Sequence, residues 1–310
     1  MTIEKPAKAK VAFVTGATGF IGERLVRRLV NDGWEVHCLV RGASDTSRLP
    51  ESAKQHRLTE DSAVSRVEQI FATIDNTGPD IVFHLASLYL ASHDPNEIEA
   101  LIASNILLAA ELAEAMAMSQ TRRIISTGTA WQRYEIKEVG EYNPVNLYAA
   151  TKQASASILK YYTEACGLSL ITLELFDTYG PGDPRRKLVK LLSDAAVSGE
   201  RLNMSPGEQI IDLTHVDDVV EAYIIAALRL SEMPSPIYER YLISGTRLKV
   251  RDLVDLVAEA LGRPLSVDLG ALPYRTREVM EPVTPSELER LPGWKPSRDL
   301  RTTLPELLCD

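Results

Sequence analysis

Apolar residues along the chain fall into two alternating textures. The short runs "KVAFVTG" (from residue 10), "EVHCLV", "DIVFHLAS", "RIISTG" and "LSLITLEL" are apolar on both faces, and between them lie segments of helical spacing at 20–32, 62–76, 96–118 and 147–166. A strand apolar on both faces belongs in a sheet covered on both sides, and strands alternating with helices of ten or more residues are parallel βαβ units. The pattern predicts an α/β, doubly wound parallel sheet over residues 8–176. After residue 176 the texture changes to "DTYGPGDPRRK" and "MSPGEQIIDLT", a helix at 216–231, the strand "RYLIS", a helix at 250–261 and a Pro-rich tail. This mixture predicts a smaller region, 177–310, over the carboxyl ends of the strands, with 213–246 returning to the main sheet. The chain shows no internal repeat and no low-complexity tract.

Composition narrows the function classes. The 310 residues, 45% hydrophobic, can bury a sizeable core, and a net charge of -9 from 34 basic and 43 acidic side chains repels a polyanion such as nucleic acid. The N-terminal "MTIEKPAKAK" has no apolar run behind its charges, and no uninterrupted apolar stretch reaches the ~18 residues of a membrane span. Cys38, Cys166 and Cys309 are odd in number and far apart, which fits neither a disulfide framework nor metal-ligand spacing. A soluble protein in a reducing cytoplasm, without a metal, is the expectation.

Two stretches carry candidate chemistry. "KVAFVTGATGFIGERLVRRLV" sets Gly16, Gly19 and Gly22 between a strand and an amphipathic helix. Glycines there allow a sharp turn, a close approach of backbone N–H groups to a pyrophosphate, and tight helix–strand packing, with the helix N-terminus aimed at the phosphates. At the end of the second strand, where a carboxylate marks NAD proteins, "EVHCLVRGAS" offers Arg41, a cation suited to the 2′-phosphate of NADP; Asp45 nearby is the NAD candidate. In "VNLYAATK", Tyr148 and Lys152 stand four apart on a predicted helix, with Cβ atoms about 5–6 Å apart, so the ammonium can sit near the phenol and lower its pKa. A lone Tyr-x-x-x-Lys is also common on half-exposed helices.

"TGATGFIG", "DIVFHLAS", "ASNILLAAELAEA", "RIISTGTAW" and "LYAATK", in that order, make nearly the whole chain resemble the extended short-chain dehydrogenases/reductases, whose fold is of Rossmann type. The resemblance implies that Tyr148 is the catalytic acid or base and that Lys152 holds the nicotinamide ribose. It implies that Thr127 hydrogen-bonds the reacting oxygen, with Ser126 and Thr129 as neighbouring candidates, and that Asn105 supports the backbone. Gly16, Thr18, Gly19, Phe20, Ile21, Gly22, Leu85 and Ala86 match the family's cofactor contacts. Hydride delivery to a ketone develops alkoxide charge, which a positioned phenol can protonate while a hydroxyl supports it.

"ITLELFDTYGPGDPRRKLV" and "SPGEQIIDLTHVDDVVEAY" are similar to the family's sugar-nucleotide branch. Glu174 replaces a common arginine and Asp177 a common asparagine; Gln209 and Asp212 flank a second altered segment, while His215, Asp217 and Asp218 are retained, the two aspartates expected as caps of the next helix. Asp177, Arg185, Arg186 and Lys187 are the candidate substrate contacts, the cations facing the diphosphate of a nucleotide sugar. The 4,6-dehydratases of this branch carry Thr-Asp-Glu where this chain has Thr127, Gly128 and Thr129, and no cysteine stands near this strand end for 3,5-epimerisation. "LFDTYGPGDPRRKL", "MSPGEQ" and "NLYAATKQA" most resemble the reductases that convert NDP-4-keto-6-deoxyhexoses with NADPH, the CDP-abequose synthase group. An NAD-dependent 4-epimerase, a reductase of a non-nucleotide ketone or aldehyde, and a non-catalytic dinucleotide sensor are the alternatives. The family also implies a homodimer paired through 98–118 and 147–166.

Overall fold

The computed structural model describes residues 9–59, 63–135, 141–286 and 289–308. Its strands are β1 (Val11–Thr15), β2 (Glu35–Arg41), β3 (Lys54–Leu58), β4 (Ile81–His84), β5 (Arg123–Thr129), β6 (Ser169–Leu175), β7 (Asp177–Tyr179), β8 (Leu202–Met204), β9 (Ile210–His215), β10 (Tyr238–Ile243), β11 (Thr246–Lys249) and β12 (Val267–Leu269). The helices are α1 (Phe20–Asn31), α2 (Arg66–Thr77), α3 (Ile98–Ile102), α4 (Leu108–Met118), α5 (Leu147–Cys166), α6 (Leu188–Ser198), α7 (Val216–Glu232), α8 (Val250–Leu261) and α9 (Leu300–Thr303).

Among the described residues, seven strands form one parallel sheet in the order β10-β6-β5-β4-β1-β2-β3. β1, β4 and β6 are buried along their whole length, as their doubly apolar patterns require. β3 was not expected. Its sequence, KQHRL, has no apolar run because it lies at the edge of the sheet with residues exposed or half-buried. One core layer joins α1 and α7 to the sheet through Leu25, Leu29, Val219 and Ala226, and the opposite layer joins α2, α4 and α5 through Ile70, Leu112 and Leu159.

The second half contributes to two structures. α7 and β10 belong to the central layers, whereas β7, β9 and β11 form a separate three-stranded sheet over which α6 and α8 build a third core. α7 begins at His215, whose Nδ1 accepts from Asp217 N at 3.3 Å. The capping expected of Asp217 and Asp218 therefore belongs to His215. Asp218 instead accepts from Ser297 N and Arg298 N (3.1 and 3.0 Å) and ties the C-terminal tail to α7.

The helical stretch Pro95–Met118 is by length and composition apolar enough to cross a membrane, with 39% of its apolar window buried, although Glu99 and Glu111 interrupt its apolar run. Its buried Leu101, Ala109, Leu112 and Met116 cover the sheet, and Ile98, Ile102 and Leu107 are exposed. A π-helical turn, Ala103–Leu107, interrupts it and turns Asn105 inward.

The departure at Glu174 has a structural counterpart. Fully buried on β6, it pairs with Arg133 Nε at 2.9 Å and Arg240 Nε at 2.8 Å, and Arg133 also pairs with Glu289 of the tail. Two cations and two carboxylates balance, and removing one member leaves like charges face to face in a poorly solvated place. Glu174→Ala is expected to cost about 3 kcal/mol of stability in urea denaturation, since an orphaned buried charge is far dearer than the pair was favourable. A loss below about 1 kcal/mol means that the two arginines find water or another partner.

Candidate active site

The loops after β1, β4, β5 and β6 meet in a cavity of about 180 Å³ lined by Gly16, Gly19, Phe20, Ile21 and Gly22 on one side and by Leu85, Ser87, Tyr89, Thr127, Thr129, Trp131, Tyr148, Asp177, Arg185 and Lys187 on the others. Gly16 turns the chain at φ +74°, and a Cβ there would stand 2.5 Å from Ala86 N. A Cβ on Gly22 would run into the Gly16 carbonyl. Gly19 caps α1 with no side chain, so the first-turn N–H groups stay free for an anion. Phe20 is buried, Thr18 is exposed and outside the cavity wall, and Ala86 takes part through its N–H, which donates to Thr15 Oγ1 at 3.3 Å.

Asn146 starts α5 by accepting from Ala149 N at 2.9 Å, and its amide donates to Ala91 O at 2.9 Å. Tyr148 thereby sits in the first helical turn, facing the cavity, edge-on to Tyr89 at 5.1 Å between ring centroids. Asn105 fixes the same loop: its Oδ1 accepts from Leu88 N (2.7 Å) and its Nδ2 donates to Leu88 O and Thr151 Oγ1 (both 3.0 Å). Of the three candidate hydroxyls, Ser126 is buried away from the cavity wall while Thr127 and Thr129 line it. Thr127 Oγ1 lies 3.1 Å from His84 O and 2.6 Å from Tyr223 Oη; Thr129 Oγ1 accepts from Trp131 N.

The electrostatics correct the expectation drawn from spacing. Burial, and not Lys152, governs the Tyr148 phenol: it pushes Tyr148 up to about 12, and hydrogen bonding by Ser87 and the charge of Arg185 oppose that without overcoming it. Burial likewise pushes Lys152 down to about 8, and its Nζ is buried without a hydrogen-bond partner. His84, fully buried, is pushed down to about 3 by burial and by the Lys152 charge, so it is a neutral imidazole whose Nδ1 meets Thr15 Oγ1 at 2.8 Å. In a dry crevice the loss of water outweighs a neighbour's charge. A bound dinucleotide fits these observations: the glycine turn has no room for side chains, and the Lys152 ammonium lacks the acceptors that ribose hydroxyls supply.

The cationic cluster is not a unit. Arg185 forks onto Asp183 (2.8 Å to both carboxylate oxygens) and lies over the Phe20 ring, and Lys187 pairs with Asp177 at 2.9 Å; both line the cavity. Arg186 is exposed and lines neither this cavity nor the adjoining one of about 220 Å³. Lys187 N donates to Arg185 O at 2.8 Å, a three-residue turn with Arg186 at its centre, and the turn leaves the middle cation in solvent. Arg41 is exposed at the end of β2, and Arg57 of β3 donates to Gly42 O (2.9 Å) and Thr46 Oγ1 (3.2 Å), shaping the loop that Arg41 opens. Sequence reasoning missed Ser87, Tyr89, Trp131, Arg57 and Tyr223. The first three follow directly on strands β4 and β5, whose carboxyl ends were already marked as the site. Among the described residues no cluster of ligating side chains could hold a metal ion.

A parallel sheet with a glycine turn at β1 and a Tyr-Lys pair at the carboxyl ends defines a dinucleotide-dependent oxidoreductase fold of the extended short-chain type. The chain belongs to the NAD dependent epimerase/dehydratase family, whose model matches residues 12–243. It is similar to the CDP-abequose synthase of Salmonella typhimurium, 26% identical over 301 residues that cover 95% of this chain and 96% of that one. It is also similar to the UDP-glucose 4-epimerase of Mycolicibacterium smegmatis, 29% identical over 271 residues, covering 81% and 82%. The same fold occurs in the UDP-glucose 4-epimerase of Thermus thermophilus solved with NAD, at a TM-score of 0.78 and 22% identity over 96% of this chain and 98% of that one.

Lys152 predicts a stability that depends on pH. Its folded pKa lies below its unfolded one, so between about pH 8 and 10.5 the unfolded chain binds the extra proton and the ligand-free fold gains stability as pH rises. Lys152→Met removes that slope, and at pH 7, where the wild type holds a desolvated ammonium, the variant melts about 3 °C or more higher. Equal slopes for the two proteins in this window overturn the reading.

Proposed function

We propose that the chain is an NADPH-dependent reductase of the 4-keto group of a nucleotide-diphosphate-linked 4-keto-deoxyhexose. The observation that carries this reading is the single cavity in which the glycine turn, Thr127 and Tyr148 face a wall of Tyr89, Trp131, Arg185 and Lys187. Residues 8–176 with 213–246 hold the dinucleotide, and 177–310 supply most of the substrate side. Exposed Ile102 and Leu107 beside α4, with Tyr161 on α5, support pairing of two copies along these helices.

When bound, a reduced nicotinamide supplies hydride to the carbonyl carbon, and the carbonyl electron pair passes to its oxygen. Tyr148 gives that oxygen its proton; a phenol pushed up to about 12 is fully protonated at neutral pH, as the acid must be. Thr127 donates a hydrogen bond to the same oxygen as charge develops. Lys152, one helical turn from Tyr148, holds the ribose and steadies the phenolate left behind. Tyr89 and Trp131, 5.7 Å apart, offer apolar ring faces to a deoxysugar. Arg185 and Lys187 meet the diphosphate, sharing themselves with Asp183 and Asp177. The acid pair that dehydratases of this branch carry is absent from Gly128 and Thr129, which favours reduction over dehydration.

CDP- and dTDP-linked 4-keto-6-deoxyhexoses are expected to consume NADPH stoichiometrically, and the free sugar poorly, because the remote diphosphate helps orient the carbonyl. Tyr148→Phe is expected to bind NADPH and lose turnover by a factor of at least ~10². A phenylalanine variant at wild-type rate sinks the assignment, and equal rates on simple ketones mark a general carbonyl reductase. Similarity to a UDP-glucose 4-epimerase favours one second reading, C4 epimerisation with NAD retained, and interconversion of sugars without NADPH loss selects it.

Arg41 separates the cofactors. Arg41→Ala is expected to raise the NADPH KM about tenfold and leave NADH within about twofold, because the 2′-phosphate alone distinguishes them. Equal losses for both cofactors remove Arg41 from the cofactor site.

A further inference from the structure

The hydroxyl of Tyr223 is buried beside the cavity and has no part in the chemistry proposed for it. Tyr223 of α7 is fully buried in the apolar layer with Val219, Ala222 and Ala226, yet its hydroxyl lies 2.6 Å from Thr127 Oγ1 on the cavity wall. Thr127 Oγ1 has a second neighbour, the main-chain oxygen of His84 at 3.1 Å, which can only accept. The one proton of Thr127 goes to that carbonyl, so the proton in the 2.6 Å contact comes from Tyr223. Burial holds the Tyr223 phenol above its ordinary range, so it stays a donor throughout the working pH range.

We infer that Tyr223 is a positioning residue, a fixed donor that occupies one of the two lone pairs of Thr127 Oγ1 and aims the Thr127 proton at the reacting oxygen. A donor held on one side restricts the torsion of the Thr127 hydroxyl, and with it the direction of its own proton. That proton points to His84 O, and a substrate oxygen entering the cavity takes over its hydrogen bond. A hydroxyl that accepts a hydrogen bond is a stronger donor for it. Tyr223 touches no substrate and no bond of it is made or broken.

The inference rests on the reading of Thr127 and Tyr148 as the groups at the reacting oxygen, which 4-keto reduction and 4-epimerisation share. The test is a double-mutant cycle on whichever of those two reactions the wild type catalyses, followed with a CDP-linked 4-keto-6-deoxyhexose and NADPH or with UDP-glucose and NAD. Tyr223→Phe is expected to lower kcat about tenfold with KM and cofactor Kd within about twofold, and Thr127→Ala about a hundredfold. In the double variant the losses do not multiply: it matches Thr127→Ala within about twofold, because Tyr223 acts only through that hydroxyl. A purely structural tyrosine gives multiplying losses, and a Tyr223→Phe variant at wild-type kcat overturns the inference outright. Thr127→Ser decides the matter if Tyr223→Phe does not fold. Fixed by Tyr223, the serine hydroxyl keeps kcat within about threefold of wild type, whereas a serine variant as slow as Thr127→Ala overturns it. A change of substrate class alters the reaction on which the cycle is scored and leaves the cycle itself intact, so failure of the two readings is told apart.

Discussion

The candidate site exists because β1 lies between β2 and β4 in a parallel sheet, so the loops leaving β1 and β4 must part in opposite directions. The crevice they open is closed at its base by a single tight contact, the Gly16 turn against the Ala86 backbone, which has no room for a side chain. Everything else is placed relative to that crevice. β5 brings Thr127 to one side, Asn105 and Asn146 fix the β4 loop against α5, and β6 runs on into the segment that carries Asp177 and Lys187.

The small sheet adds Asp177 and Thr178 of β7 to the far wall, and the tail is held behind it. Asp218, buried at the start of α7, gathers Ser297 and Arg298, and the Arg133–Glu174–Arg240–Glu289 group ties the β5 loop to the tail through the edge of the main sheet. Both anchors are charged and buried: the first attaches the tail to α7, the second to β5 and β6.

What was legible in the sequence follows from periodicity and spacing. Doubly apolar runs marked the interior strands, and the glycine and Tyr-Lys spacings marked the crevice, because backbone geometry alone fixes them. β3 escaped because an edge strand need not be apolar, and the pairing of Glu174 with Arg133 and Arg240 escaped because the partners are 41 and 66 positions away in sequence. Tyr223 reads as one more core aromatic until α7 is laid against β5. The direction of the Tyr148 shift was misread for a different reason: spacing reports neighbours, whereas desolvation depends on everything packed around the phenol.

The Lys152 ammonium and the uncapped first turn of α1 have a consequence outside the chemistry. Both are polar groups that the chain folds without satisfying. A ligand that binds only the native state adds its binding free energy to stability, so supplying their partners also slows unfolding and the proteolysis that follows it. Whatever dinucleotide fills the crevice therefore acts on the lifetime of the fold as well as on the chemistry.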